Sequence, residues 1–447
     1  FWQNEQRSVQ PEKKIVPLVL QMSVPMILSM AVNALYNIVD SYFVAKISQN
    51  AMTALSIVFP VQNMINAIAV GFGIGLNAMI AYSIGANEEK KANHIASTGV
   101  FLSMIHGIIL TICFFIGMPA FMQHFTKEQE IINLGLEYAN WVLLFTVIIQ
   151  VSVAYEKIFQ SVGRMKVSMC SMMVGFIVNI VLDPIMIVGF GKFPAMGMKG
   201  AAIATGIGQV CTLIAYLSFY FMTPIPAKTS WKYIRFENNE LKSIYGVGIP
   251  ATLNMALPSV LISALNTILT AFGDTYILIL GIYYKLQTFI YLSANGIIQG
   301  IRPLISYNYG AGQWERVKKI AGTAEVFIIG IMLFGTAACQ FFPEQLISIY
   351  SEDAAIVQYG VTALTIISLG FAISSLSVVT SGVCEALGKG LLSLIISLIR
   401  YIVVIIPASV IFSKMWDANG VYVAFVFTEF IAALISALLM KKVLKKG

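Results

Sequence analysis

Long apolar runs separated by short polar knots dominate the chain. A run of about 18 residues or more is needed to cross roughly 30 Å of hydrocarbon at about 1.5 Å per residue. Such runs fall near 17–44, 52–82, 95–121, 134–159, 167–190 and 200–222, and again near 243–271, 276–306, 318–342, 355–382, 391–412 and 418–440. The pattern predicts an all-α membrane protein with twelve transmembrane helices, six in each half.

The knots between the runs recur. Residues 80–91, IAYSIGANEEKK, return as residues 305–316, ISYNYGAGQWER, at an offset of 225. The same offset pairs Pro25 with Pro250, Gly71 and Gly75 with Gly296 and Gly300, and Gly163-Arg164 with Gly388-Lys389. One unit written twice implies two pseudo-symmetric six-helix bundles with a ligand path between them. The boundaries expected are an amino-terminal lobe over 1–222, a linker over 223–242 and a carboxy-terminal lobe over 243–447.

Composition agrees with a membrane protein. Hydrophobic residues make up 58% of the chain and charged ones 11%, with a mean hydropathy of +0.82, whereas soluble domains carry about 25% charged residues. If both ends are cytoplasmic, twenty of the 28 Lys and Arg lie in inner loops and tails, and five, Lys46, Lys127, Lys192, Lys199 and Lys414, lie in outer loops. This positive-inside bias sets the orientation. It also accounts for most of the net charge of +7 without a nucleic-acid partner, leaving some attraction to anionic lipid. The five cysteines, Cys113, Cys170, Cys211, Cys339 and Cys384, sit in or beside spans, with no metal-site spacing and no disulfide framework. Residues 1–14 are polar and the first apolar run is long enough to stay in the membrane, so no cleavable signal is expected. The start at Phe1 suggests that a few residues precede it.

The longest polar interruption, residues 223–242, is basic, aromatic and proline-bearing, and suits either a strap on the cytoplasmic face or a solvated linker. Gly71-Phe72-Gly73-Ile74-Gly75 lies inside an apolar run with no strand before it, so it reads as a close helix-packing face and not a nucleotide loop.

A charged side chain at the bilayer centre costs at least about 2.5–3.5 kcal/mol, so each needs a reason. Those within runs are Asp40, Glu156, Asp183, Lys285, Arg302, Glu325, Glu385, Arg400 and Glu429. Glu156, Arg302, Glu325 and Glu385 lie near inner helix ends, where pairing and snorkelling explain them. Asp40 stands six residues before Lys46, Asp183 nine before Lys192 and Thr205 six after Lys199. These spacings put all three about 9–14 Å below the outer boundary. Asn179 shares a helix face with Asp183 one turn away, and Pro184 leaves the Ile180 carbonyl without its usual donor. Two carboxylates, an amide oxygen, a hydroxyl and free carbonyls suit a hard cation such as sodium. They equally suit a proton shared by two acids. Tyr36, one turn before Asp40, and Tyr138 could donate to the same carboxylates. The alternative is that both acids only tie helices together, an expensive arrangement without a cation at the same depth.

The second half is not a copy here. Leu265 stands opposite Asp40, and no acid stands opposite Asp183. Arg400 and Glu429 form a candidate buried pair. Lys285 has no partner nearby in sequence, which leaves it to attract an anionic group or to pair with a distant acid.

Taken together, the run Asn37-Ile-Val-Asp40-Ser-Tyr-Phe-Val44, Ala54-Leu55, Phe59-Pro60, Gly85-Ala86, Asn179-Ile-Val-Leu-Asp183-Pro184, Gly200-Ala-Ala-Ile-Ala-Thr205, Asn308-Tyr-Gly-Ala-Gly312 and Arg316-Val-Lys-Lys319 resemble the multidrug and toxic compound extrusion family, the MATE transporters. The resemblance spans essentially the whole chain. It implies a two-lobed exporter that exchanges inward-moving sodium ions or protons for outward-moving amphipathic, often cationic, drugs or metabolites. By motif match it places Asp40, Asn179, Asp183 and Thr205 at the amino-terminal-lobe cation site, with the Ala201 carbonyl as a further ligand and Tyr36 and Tyr138 around them. Asn33, Asn37, Met172, Phe176, Asn254, Met255 and Lys285 are the expected substrate-cavity residues; flexible methionines suit varied substrates. A branch of the family couples through acids in the carboxy-terminal lobe, but the run 243–271 has none. No resident cofactor and no enzymatic activity are expected, and the protein is expected to act as a monomer in the cytoplasmic membrane.

Two rival classes have weaker footing. A flippase of related fold for lipid-linked oligosaccharide needs a basic groove, for which only Lys285, Arg302 and Arg400 are candidates. A membrane enzyme needs a motif such as HExxH or DDxxD; neither occurs, the histidines His94, His106 and His124 are scattered, and no Walker loop is present.

Overall fold

The computed structural model describes residues 14–189 and 194–445. Lys192, the depth marker for Asp183, and Arg7, Lys13 and Lys446 of the charge count lie outside these residues. The apolar runs form helices, most of them slightly longer than the runs themselves: α1 (Ile15–Ala45), α2 (Gln49–Gly85), α3 (Glu89–Phe125), α4 (Gln129–Leu144) with α5 (Thr146–Ser161), α6 (Met165–Asp183), which stops short of its run at Pro184, and α7 (Gly197–Met222). The second half follows with α8 (Asn238–Leu269), α9 (Asp274–Gly310), α10 (Trp314–Phe341), the short α11 (Pro343–Ser348), α12 (Ala354–Ala386), α13 (Gly390–Leu398) and α14 (Ile405–Leu444). No strand occurs among the described residues.

The spans number twelve once two breaks are read physically. α4 and α5 form one span bent by 47°, and the ring of Phe145 at the bend lies against Gly206 of α7. The long stretch Gly390–Leu444 is two spans, because Trp416 and Asp417 leave the helical region, Asp417 with φ 51° and ψ −142°. A helix cannot continue through such a residue, so the chain turns there.

The duplication is visible in the turns. After α2 the Glu88 amide donates to the Ser83 carbonyl at 2.8 Å, and after α9 the Gln313 amide donates to the Asn308 carbonyl at 2.8 Å. Both turns pass through the left-handed region, at Asn87 (φ 61°) and Gly312 (φ 70°), where Asn and Gly are the residues that fit.

The chain divides into two compact units, and the division cuts through two helices. Unit one runs from Leu28 to Gly248; unit two takes Ile249 onward together with the described residues 14–27. The cuts fall just after Pro25 in α1 and just before Pro250 in α8. In unit two, Ser23 and Ile27 of α1 lie on Gly300 and Gly296 of α9, with Ser23 Cα 2.7 Å and Ile27 Cα 2.9 Å from where a Cβ would stand. In unit one, a Cβ on Gly75 of α2 would meet the Ile244 carbonyl of α8, and one on Gly248 would lie 3.1 Å from Phe72 Cα. The paired Gly-x-x-x-Gly faces therefore each receive the leading half of the other repeat's first helix, which only glycine permits at this backbone distance. His106 of α3 and Tyr245 of α8 add a hydrogen bond of 2.9 Å in unit one.

Residues 223–242 belong to unit one and are tied down rather than solvated. Ile225 and Ala227 are buried in its core. Thr98 exchanges two hydrogen bonds with the Arg235 backbone, at 2.9 and 3.1 Å, and the Lys228 amide donates to Asn93 at 2.5 Å.

Candidate cation site

The site lies in unit one, where close packing of α6 on α7 sets its geometry. Small residues on the facing surfaces let the backbones approach: a Cβ on Gly175 would meet the Gly208 carbonyl at 2.6 Å, and one on Gly208 would stand 3.2 Å from Asn179 Cβ. At its outer end α6 passes into a π-turn at Pro184–Val188, where the proline has no amide to donate. The Met186 carbonyl of that turn accepts from the Met196 amide at 2.9 Å and packs on Gly200, which anchors the start of α7.

This packing brings Asn179, Asp183 and Thr205 together. The Asn179 amide nitrogen donates to Asp183 Oδ1 at 3.3 Å and to Thr205 Oγ1 at 3.4 Å. Asp183 is fully buried, and Asn179, Thr205 and Asp40 are nearly so. Ala201, one turn before Thr205, is also fully buried. Asp40 enters from α1 within electrostatic reach of Asp183, and Tyr138 of α4 is in reach of both acids. Tyr138 is buried and accepts from Gln62 of α2 at 3.1 Å. Tyr36 stacks on Phe176 with ring centroids 5.5 Å apart.

Three acceptors in this cluster, Asp40 Oδ1, Asn179 Oδ1 and Asp183 Oδ2, are buried without a hydrogen-bond partner. Buried polar groups are normally satisfied, and an ionised carboxylate or an amide oxygen can only accept. The cluster therefore lacks donors or positive charge. An oxygen-only set of this kind fits a hard cation, and it also fits a proton, which would turn one carboxyl into a donor. No group of three or more His, Cys, Asp and Glu with metal-holding geometry occurs among the described residues, so the oxygens of Asn179 and Thr205 are needed to complete any cation shell.

The expected substrate-cavity residues fall into two groups. In unit one, Asn37 donates to the Asn33 side chain at 2.7 Å on the face of α1 that carries Tyr36, Phe176 is buried under Tyr36, and Met172 packs against the inner core cluster. In unit two, Asn254 is drawn into a polar network, donating to Ser393 at 2.9 Å and Glu385 at 3.4 Å, while Met255 is exposed. Lys285 is exposed, its ammonium 5.6 Å from the Tyr350 ring centroid, with no carboxylate at ion-pair distance among the described residues.

Of the other membrane charges, Glu325 only accepts a hydrogen bond from Ser375 at 3.0 Å, with its second oxygen buried and unpartnered, while the rest are paired. Arg302 meets Glu385 at 2.7 Å, and Arg400 meets Glu429 through both carboxylate oxygens. Lys157 belongs with the buried charges, not the inner loops: its ammonium lies 2.7 Å from Glu156 and 3.1 Å from Gln160. Sequence reasoning also missed Gln62, whose only signal is an amide inside an apolar run.

Two bundles of membrane-spanning helices built from one repeat, with buried acids in the first, define a duplicated polytopic membrane protein. The family model described as MatE matches residues 25–185 and again 250–411, once per repeat. The chain belongs to that family, the one its motifs resemble. Among curated relatives, the multidrug export protein MepA of Staphylococcus saprophyticus is 25% identical over 94% of this chain and 92% of its own length. MepA of Staphylococcus aureus is 23% identical over the same shares. Among solved structures, an outward-facing multidrug resistance MATE transporter superposes with a TM-score of 0.92 at 24% identity, covering 99% of this chain and 98% of that one. A structure described as a MOP superfamily transporter from Pyrococcus furiosus with reversed binding-pocket polarity gives 0.91 at 24% identity over the same shares.

Proposed function

We propose that the protein is a secondary active exporter of amphipathic, cationic small molecules, driven by sodium ions or protons that bind at Asp40 and Asp183. The three buried acceptor oxygens without donors carry this reading. As transported substrate, the cation would be held by Asp40, Asp183 and Asn179, with Thr205 and the Ala201 carbonyl completing the shell. If the driver is a proton, Asp40 and Asp183 share it. Asn179 keeps the Asp183 carboxylate oriented in either case. A driving ion shifts a two-state equilibrium only by its differential affinity for the two states, so α1 must present Asp40 differently to α6 and α7 in each. The multidrug export proteins among the relatives favour this substrate class. Arg302 and Arg400 are both occupied by carboxylates, which leaves too little free positive charge for a pyrophosphate groove and counts against a flippase. The protein would sit in the cytoplasmic membrane as a monomer with both termini inside.

The test is ethidium efflux from proteoliposomes under an imposed sodium gradient and then an imposed proton gradient, for the intact chain and Asp40→Asn. Efflux driven by one ion and abolished in the variant is the expected result and names that ion. Efflux that survives Asp40→Asn would reduce that acid to a structural role, and no efflux under either gradient would point to a dedicated metabolite exporter.

A further inference from the structure

The exposed face of the segment joining the two halves has features that the transport reading does not use. Its backbone is fixed to α3 by the Ser97, Thr98 and Asn93 hydrogen bonds, including Ser230 amide to Ser97 Oγ at 3.0 Å. The segment is thus an ordered surface with Ile225 and Ala227 turned inward. Facing outward are Lys228, Lys232 and Arg235, all exposed, with no carboxylate at ion-pair distance among the described residues. Beside them, Trp231 is 72% and Phe236 57% exposed.

The position of these two rings relative to the bilayer can be read from α3. Ile108, Ile112 and Phe115 of α3 are exposed apolar residues, spaced along one helical face that meets hydrocarbon. Phe101 lies on the same face, about 16 Å nearer the inner end than Ile112. Trp231 and Phe236 both pack edge-on against Phe101, with centroids 6.1 and 6.0 Å away. The strap therefore extends the lipid-facing surface of α3 to the upper acyl chains just below the headgroups, where the indole of Trp231, with its polar N–H edge, is favoured.

We infer that the strap over residues 223–242 is a binding surface for anionic phospholipid, with Trp231 and Phe236 seated at the level of the upper acyl chains and Lys228, Lys232 and Arg235 taking the phosphate-bearing headgroups. Exposed aromatics at this level without unpaired cations would favour no headgroup; three unpaired cations beside them select negative charge. The inference holds for whichever leaflet the strap faces.

The experiment reconstitutes the full chain in nanodiscs of phosphatidylcholine with a fixed fraction of lipid brominated on the acyl chains, either phosphatidylglycerol or phosphatidylcholine. Trp231 quenching is taken as the difference between the intact chain and Trp231→Phe. Brominated phosphatidylglycerol should quench Trp231 about twofold more than brominated phosphatidylcholine, within the roughly fivefold enrichment that one basic side chain can give. The excess should fall as salt is raised. It should vanish in the triple variant Lys228→Gln, Lys232→Gln, Arg235→Gln and persist in the charge-conserving Lys228→Arg, Lys232→Arg, Arg235→Lys, which guards against loss of fold. Equal quenching by the two lipids, no quenching, or an excess that survives charge removal would overturn the inference.

Discussion

Asp183 is buried with one oxygen bonded to Asn179 and the other without a partner, so its charge is a cost until a cation or proton arrives. Replacing a buried, incompletely paired charge by a neutral isostere removes that cost. Asp183→Asn should therefore melt at the same temperature as the intact chain or higher in ion-free detergent. The driving-ion concentration for half-maximal efflux should rise at least about tenfold, the scale of one charge-assisted hydrogen bond. A large fall in melting temperature would mark Asp183 as structural. Arg400 and Glu429 are the opposite case, because each satisfies the other through paired contacts. Glu429→Ala leaves the guanidinium buried and alone, for an expected loss of about 3–5 kcal/mol, whereas Arg400→Met with Glu429→Leu should lose much less. Thermal melting of the single and the double variant decides it, and a double variant that loses as much as Glu429→Ala would show that the lone buried guanidinium is not the source of the loss.

At the scale of elements, the cation site depends on how near α6 comes to α7, and that distance is held by Gly175 and Gly208 rather than by the polar residues. Gly208→Val would push against the Gly175 carbonyl and Asn179 Cβ, at about 1–3 kcal/mol for overpacking. It should weaken the driving ion's apparent affinity although no ligand is altered. Gly330→Ala in α10, where a Cβ meets nothing within 4 Å, should be neutral or slightly stabilising. Efflux titrations of both variants test this, and unchanged ion affinity in Gly208→Val would separate the site from the packing. These contacts also show what the sequence could and could not reveal. Span lengths were legible because bilayer thickness imposes them, and the repeat was legible because both turns reuse the same backbone conformation. The acids stood out as charges in apolar runs. By contrast, the 47° bend at Phe145 has no proline or glycine at the break to announce it. Gln62 looked like any amide in a span, and Lys157 read as a loop cation because its pairing with the adjacent Glu156 needs three-dimensional burial to be seen. Gly71, Gly75, Gly296 and Gly300 announced close packing, but not which helix would pack there.

That missing partner matters most for the whole molecule. Each unit is completed by a helical segment from the other repeat: the leading half of α1 lies in unit two and the leading half of α8 in unit one. In α1 that half buries Leu18, Val19, Met22 and Met26, and in α8 it buries Ile244 and Val247. Within a bilayer such contacts are made by close packing rather than by escape from water, so nothing else in lipid replaces them once the Gly75 and Gly300 faces are left bare. Chains cut at the strap, 1–236 and 237–447, should therefore each fail to give a monodisperse, cooperatively melting protein when expressed alone. Expressed together, they should copurify through a tag on one half and recover efflux, because each supplies the helix the other lacks. Two halves that fold and melt cooperatively on their own would show that the exchanged segments are ornaments on two independent bundles. Copurification that is lost on Gly75→Leu with Gly300→Leu, but kept with Gly330→Ala, would locate the association in the two glycine faces.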